Sequence, residues 1–238
     1  MINKNIDFSE IFTKAKPFNH IVIDDFLQED KAECLLKDID KNSIWDIRND
    51  TSIQVKWRSD WKEDLDVPPE TLSIIQYFNS GDFLRWLSKT TKIEGLIPDP
   101  YLTGGGFNKI NCGGTLAVHA DGNWHDLMKV HRRLNLIIYL NKDWDSSWGG
   151  SLELWSNKNT KPYKCEKAIE PHFNRAVIFK TDDYSFHGHP QLISCPDTIS
   201  RKSLILYYYT STRPDNEVVS MDNKHRAIFH TTMGDNNV

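Results

Sequence analysis

The sequence predicts a mainly β fold, a sandwich or jelly roll, with helices packed on it from the N-terminal end. Three observations carry this. From about Phe107 the chain divides into short runs rich in β-branched and aromatic residues, separated by Gly, Asn, Asp and Pro, with no helical crossovers between them. The stretch before that shows helical spacing of apolar residues. The 238 residues are 39% hydrophobic and 26% charged, with eight Trp and eleven Phe, which suits one well-buried core and argues against disorder.

In chain order, His20-Ile21-Val22-Ile23 reads as a strand, and Glu29 to Ile39 as a helix with Ala32, Leu35, Leu36 and Ile39 on one face. Pro68-Pro69 opens a second helical region, with Leu72, Ile75 and Phe78 on one side; Phe83, Leu84 and Leu87 follow after Gly81. The β-rich runs are then Thr115–His119, Arg133–Leu140, Ser151–Trp155, Lys164–Ile169, Arg175–Phe179 and Arg201–Tyr209. Within Arg133–Leu140 the positions Leu134, Leu136, Ile138 and Leu140 share one face, which needs a cover that the helices supply. Asn135, Ile137 and Tyr139 then point into the interior of the β core, and polar groups there imply a pocket. The expected organisation is a single domain over 1–238: a helical and mixed support region at 1–106, a jelly-roll core at 107–210 and a polar C-terminal extension at 211–238. In that extension Arg226-Ala227-Ile228-Phe229 can add a short strand.

A net charge of −4, with no run of Lys or Arg, marks no nucleic-acid track and says little about partners beyond solubility. Met1 to Lys16 lacks the apolar core of a secretory signal, and no stretch approaches the ~20 apolar residues of a membrane span. A cytoplasmic protein without membrane contacts is expected; the oligomeric state is not encoded in any motif. Cys34, Cys112, Cys165 and Cys195 are widely spaced without a CxxC pair, so they read as reduced thiols.

The chemistry concentrates in three places. His119-Ala120-Asp121 ends an apolar run, and if the strand persists that far its i, i+2 spacing puts an imidazole and a carboxylate on one face. A second, distant His completes a set of two His and one carboxylate that leaves coordination positions open. His187-Gly188-His189 offers two candidates on the same face, and periodicity does not separate them. His125, His131 and His172 fall in polar, turn-like surroundings and read as structural or surface groups. Third, Arg201 and Ser203 share a strand face with Ile205; a guanidinium there can grip a carboxylate in a bidentate fork, with the Ser hydroxyl and the Tyr139 phenol adding hydrogen bonds. Taken singly, Arg201 could as well pair with a surface acid such as Asp197.

With these residues in view, Thr115 to Thr210 resembles the prolyl 4-hydroxylase-like branch of the Fe(II)/2-oxoglutarate oxygenase superfamily. Tyr139-Leu140-Asn141-Lys142-Asp143-Trp144-Asp145 followed by Gly149-Gly150 is similar to a segment of the hypoxia-sensing prolyl hydroxylases, as is Pro171-His172-Phe173-Asn174-Arg175 leading through Phe179 to His187. The resemblance implies a double-stranded β-helix with His119, Asp121 and His187 as iron ligands. It places Arg201, Ser203 and Tyr139 on 2-oxoglutarate, and leaves His189 and Asn135 to support the ligands or face the substrate. It implies Fe(II), 2-oxoglutarate as cosubstrate, O₂, and ascorbate as a reductant. Because related halogenases replace the acid with a small residue, Asp121 implies hydroxylation, with a prolyl residue, a proline-like compound or an amino acid as substrate. The interval Pro190 to Ser200 is longer here than in the hypoxia-sensing enzymes. The rival reading is a non-catalytic metal-binding jelly-roll module.

Overall fold

The computed structural model describes residues 2, 6–50, 52–217 and 224–230. Four helices and thirteen strands follow in the order α1 (Ser9–Lys14), β1 (His20–Ile23), α2 (Glu29–Lys41), β2 (Trp45–Arg48), β3 (Ile53–Ser59), α3 (Pro69–Asn79), α4 (Gly81–Thr91), β4 (Ile97–Pro98), β5 (Gly106–Ala120), β6 (Trp124–His125), β7 (Val130–Tyr139), β8 (Leu152–Lys158), β9 (Lys161–Ile169), β10 (Ala176–Lys180), β11 (Phe186–His189), β12 (Ser200–Thr210) and β13 (Ile228–His230).

The helices form where the apolar spacing puts them, and local chemistry sets their ends. Pro69 occupies the first turn of α3, where its missing N–H would be unpaired in any case. The Ser80 hydroxyl caps α4 by accepting from the Phe83 amide at 3.3 Å. Lys92, at φ 58°, then turns the chain out of α4 in the left-handed region. No described helix is long and apolar enough to cross a membrane.

The strands make one curled antiparallel sheet, a half-barrel that resembles the jelly-roll core of a double-stranded β-helix. Its main path runs β1-β10-β7-β12-β5-β11-β8-β9. The alternation in β7 divides its two faces as the sequence predicts. Leu134, Leu136, Ile138 and Leu140 join Ile178, Leu204 and Leu206 on the convex side, where Leu35, Ile39, Ile74, Phe78, Phe83 and Leu87 of the helices cover them. Burying each such side chain contributes about 1.5–3 kcal/mol, so this layer is the main source of stability and leaves the concave face free for polar work. Ile137 and Tyr139 pack on that concave side with Leu152, Leu154, Val177 and Phe179.

Three strand features differ from the sequence reading. The hairpin β2–β3 lies within the region read as helical and mixed, and β3 pairs with β5 through Lys56↔Ile110 and Arg58↔Asn108. His131, read as turn-like, lies in β7 with its ring 4.9 Å from Trp124. Strand β5 stops at Ala120, one residue short of Asp121. The Arg226–Phe229 segment does supply a strand: β13 pairs Phe229 with His119 of β5.

Candidate metal and cosubstrate site

Two strands bring the metal-binding residues together. In the β5–β11 ladder His187 lies directly opposite His119, and Asp121 follows two residues after His119. Gly188 permits this approach: a Cβ at that position would meet the backbone of β5, 2.8 Å from the Leu116 carbonyl oxygen and 2.9 Å from that of Ala117. The His119 and His187 rings stand 4.4 Å apart, with Phe179 against His187 and Phe229 against His119.

The tautomers follow from the backbone. His119 Nδ1 faces the Ala117 carbonyl at 2.9 Å and His187 Nδ1 the Ser185 carbonyl at 3.0 Å. A carbonyl only accepts, so each Nδ1 carries the proton and each Nε2 keeps a free lone pair. Both Nε2 atoms turn to Asp121: His119 at 3.5 Å from Oδ1 and His187 at 3.6 Å from Oδ2. One ligand atom from each residue lies within 4.8 Å of the others. Ligand atoms about 2.1 Å from one ion at right angles sit about 3 Å apart, so a small contraction around a metal closes the set.

Asp121 is held on its far side by two residues of β7. Asn135 Nδ2 donates to Oδ2 at 2.6 Å, and Arg132 Nη1 lies 3.5 Å from Oδ1 with its guanidinium stacked over Tyr207 at 3.8 Å. Burial alone raises the Asp121 pKa, but the charges of His187 and Arg132 and the hydrogen bond to His119 hold it well below the usual carboxylate range. Burial pushes the His187 imidazole down to about 4. An ionised carboxylate and a neutral imidazole are the forms a divalent cation requires.

The sequence did not single out Arg132. Strand β7 carries a bulge, with Tyr208 opposite Leu134 and Tyr209 opposite Arg132, so that Arg133 is the extra residue. The bulge turns Arg132 to the same side as Asn135, while Arg133 reaches Glu217 and Thr210 elsewhere.

Arg201, Ser203 and Ile205 line the same cavity as the triad, a space of about 810 Å³ that also takes in Asn108, Asn135 and His189. Arg201 does not pair with Asp197. Its Nε donates to the Gly150 carbonyl at 2.6 Å and its Nη2 to the Tyr139 hydroxyl at 3.1 Å. Tyr139, opposite Ser203 in the β7–β12 ladder, thus braces the guanidinium from behind. Burial raises the Tyr139 pKa against the pull of Arg201, so the phenol keeps its proton.

Several buried polar atoms on the cavity wall find no partner among the described residues: both ring nitrogens of His189, Ser203 Oγ and Asn108 Oδ1. Each orphan costs about 1–3 kcal/mol unless a polar guest meets it; Ser203 Oγ and the His189 N–H can donate, whereas Asn108 Oδ1 only accepts, so the wall fits a polar molecule that carries both acceptors and a donor. His189 lies on the same side as His187, as its spacing predicts, but pairs with Leu116 on β5 and stays outside the three-residue group. His125 is buried with Nε2 3.4 Å from Asp99, and His172 pairs with Glu170 at 2.7 Å; neither joins the metal set.

The model of the 2OG-Fe(II) oxygenase superfamily matches residues 105–209, the stretch that holds all three metal-site residues and Arg201. Over that stretch the chain is similar to the Fe(II)/2-oxoglutarate oxygenases. Its His119-Asp121-His187 group is the kind of constellation that suits the iron of that superfamily. The chain is 27% identical over 209 residues to prolyl 3-hydroxylase OGFOD1 of Mus musculus, an alignment that covers 83% of this chain and 34% of the mouse protein. It therefore spans about a third of that relative's length. Among solved structures of the fold, a Trichoplax adhaerens prolyl hydroxylase in complex with a hypoxia inducible factor peptide fragment superposes with TM-score 0.56 at 17% identity, covering 87% of this chain and 88% of that one. A Pseudomonas putida prolyl-4-hydroxylase gives TM-score 0.57 at 17% identity, covering 86% and 100%.

Proposed function

We propose that this oxygenase hydroxylates an unactivated C–H bond of a prolyl residue, or of a proline-like or amino-acid substrate. His119, Asp121 and His187 hold the iron, and Arg201 with Ser203 anchors the far carboxylate of 2-oxoglutarate. The observation that carries the reading is the meeting, in one cavity, of a His-Asp-His set with a braced, inward-facing guanidinium. The prolyl preference is supported by the names of the mouse, Trichoplax and Pseudomonas proteins to which the chain is similar.

When bound, Fe(II) with 2-oxoglutarate and O₂ supplies the oxidant that places one oxygen atom in the substrate C–H bond and the other in succinate, with release of CO₂. The chain's own groups do the rest. The carbonyls of Ala117 and Ser185 fix the imidazole tautomers, and Asn135 and Arg132 keep Asp121 ionised and oriented. The Gly150 carbonyl and the Tyr139 hydroxyl hold the Arg201 guanidinium that would receive the far carboxylate. Ile137, Leu152 and Ile205 supply an apolar wall that limits water around the reacting atoms. Ascorbate serves as the reductant that keeps the iron ferrous.

The test is a mass-spectrometric screen with Fe(II), 2-oxoglutarate and ascorbate across proline-containing peptides and free amino acids, with succinate measured in parallel. The expected result is one added oxygen on a prolyl or amino-acid substrate with stoichiometric succinate. Turnover with Zn(II) and no 2-oxoglutarate would overturn the reading.

A further inference from the structure

The cavity has a second cationic wall that neither the metal set nor the cosubstrate anchor uses. Val55 of β3 has φ 50°, a conformation a β-branched residue adopts only when its surroundings impose it. At that residue β3 slips against β5, pairing Ile53 with Leu116 but Lys56 with Ile110. The slip lets Ile53, Lys56 and Arg58 all face the cavity, which a regular strand would not allow. Ile110 also pairs with Arg201 on its other side, so Lys56 and Arg201 flank the same residue from neighbouring strands.

The ion pairs of this wall are incomplete. Arg58 and Arg48 both lean on one acid, Asp46, at 2.9 and 3.0 Å. Lys56 has no carboxylate within ion-pair distance among the described residues. Asp121, the acid whose field reaches it, is already engaged by two His, Arg132 and Asn135. Burial and the neighbouring Arg58 push the Lys56 ammonium down to about 8, the signature of a cation lacking its counter-ion. With the site loaded, iron and Arg201 are balanced by Asp121 and the two carboxylates of 2-oxoglutarate. Arg132 beside Asp121, Lys56 and the surplus of the Arg48–Arg58–Asp46 group then remain uncompensated. The exposed lining acids Asp50 and Asp126 are equalled in number by the lining cations Lys224 and Arg226.

We propose that Lys56, flanked by Arg48 and Arg58, forms a subsite for a carboxylate of the primary substrate. The inference deepens the hydroxylase reading and rests on the placement of 2-oxoglutarate at Arg201. The substrate carries an anionic group a short reach from the attacked C–H bond: the α-carboxylate of a free amino acid, or an acidic side chain next to a prolyl residue.

The experiment uses the Fe(II)-loaded enzyme with saturating 2-oxoglutarate under argon, titrated calorimetrically with benzoate and with its neutral isostere benzamide. Benzoate is expected to bind at least tenfold more tightly. Lys56→Met should lower benzoate affinity at least tenfold while leaving the 2-oxoglutarate dissociation constant within about twofold, and Lys56→Arg should restore benzoate binding. Equal binding of the two probes, or an unaltered Lys56→Met variant, overturns the inference. So does a Lys56→Met defect that falls equally on 2-oxoglutarate, because it moves Lys56 to the cosubstrate. Competition with free L-proline and with N-acetyl-Pro-Glu-amide identifies the carboxylate source by whichever displaces benzoate at the lower concentration. Displacement at that same concentration by prolinamide or N-acetyl-Pro-Gln-amide counts against the inference. Failure of 2-oxoglutarate itself to bind would sink the underlying hydroxylase reading instead, which keeps the two failures distinct.

Discussion

Replacing Gly188 by Ala tests whether the site depends on the close approach of β11 to β5. A methyl group there would lie 2.8 Å from the Leu116 carbonyl oxygen, 2.9 Å from that of Ala117 and 3.0 Å from Val118 Cα. All three are backbone atoms in the middle of a ladder, so no side chain can swing aside. Relief requires β11 to move off by about 0.5 Å, the tolerance within which a functional constellation must be held. Overpacking of this kind costs about 1–3 kcal/mol, which for a chain of this size lowers Tm by roughly 2–12 °C. Since His187 precedes Gly188 and lies opposite His119, the same displacement opens the metal set. Misplacement approaching 1 Å lowers turnover by about 10²-fold. Differential scanning calorimetry with and without Fe(II), together with succinate formation, reads both effects. A Gly188→Ala enzyme with unchanged Tm, iron affinity and turnover would refute the argument that this glycine permits the site.

Arg201→Ala should raise the KM for 2-oxoglutarate about 10- to 150-fold, the loss of one charge-assisted interaction of about 1.5–3 kcal/mol, while iron binding persists; steady-state kinetics and metal analysis check this, and an unchanged KM places the anchor elsewhere. Asn135→Ala removes the 2.6 Å hydrogen bond to Asp121 and should lower iron affinity about 10- to 100-fold, measured by competition with a chelator. His189→Ala should leave iron binding intact, and loss of iron from it would exchange the roles of the two histidines. Burial depresses the pKa of His20 and brings that of His187 down to about 4, so the unfolded chain, with imidazoles near 6.5, binds these protons more readily than the folded one. The stabilisation is complete above about pH 6.5 and is lost as the pH falls toward 4. The urea midpoint of the metal-free protein should therefore drop between pH 7 and pH 5, and a flat profile contradicts the burial of these rings as neutral groups.

What could be read from the sequence was what obeys strict periodicity. The two faces of β7 separate Leu134, Leu136 and Ile138 from Asn135, Ile137 and Tyr139, and that alternation alone located both the helix-covered side and the pocket side. The same rule put His187 and His189 on one face but could not choose between them. The choice is made by register, because only His187 falls opposite His119. Where a bulge breaks the period, the signal disappears. Arg132 reaches Asp121 because the extra residue Arg133 resets the β7 pairing, and Lys56 joins Ile53 in the cavity because of the backbone turn at Val55. The hairpin β2–β3 escaped notice for another reason. Charged residues occupy half of Trp45-Asp46-Ile47-Arg48, Ile47 is exposed, and no run of apolar residues marks a strand. Such an element is held by its ladder to β5 more than by a core of its own.

In the proposed site two distant segments close on one iron with a dicarboxylate gripped behind it. A crystal structure of the enzyme with Mn(II) and 2-oxoglutarate, grown without oxygen, tests this most directly. The metal should lie on His119 Nε2, the Asp121 carboxylate and His187 Nε2, with the distal carboxylate of 2-oxoglutarate on Arg201 and Ser203. Metal bound through His189, or a dicarboxylate that leaves Arg201 untouched, would contradict it.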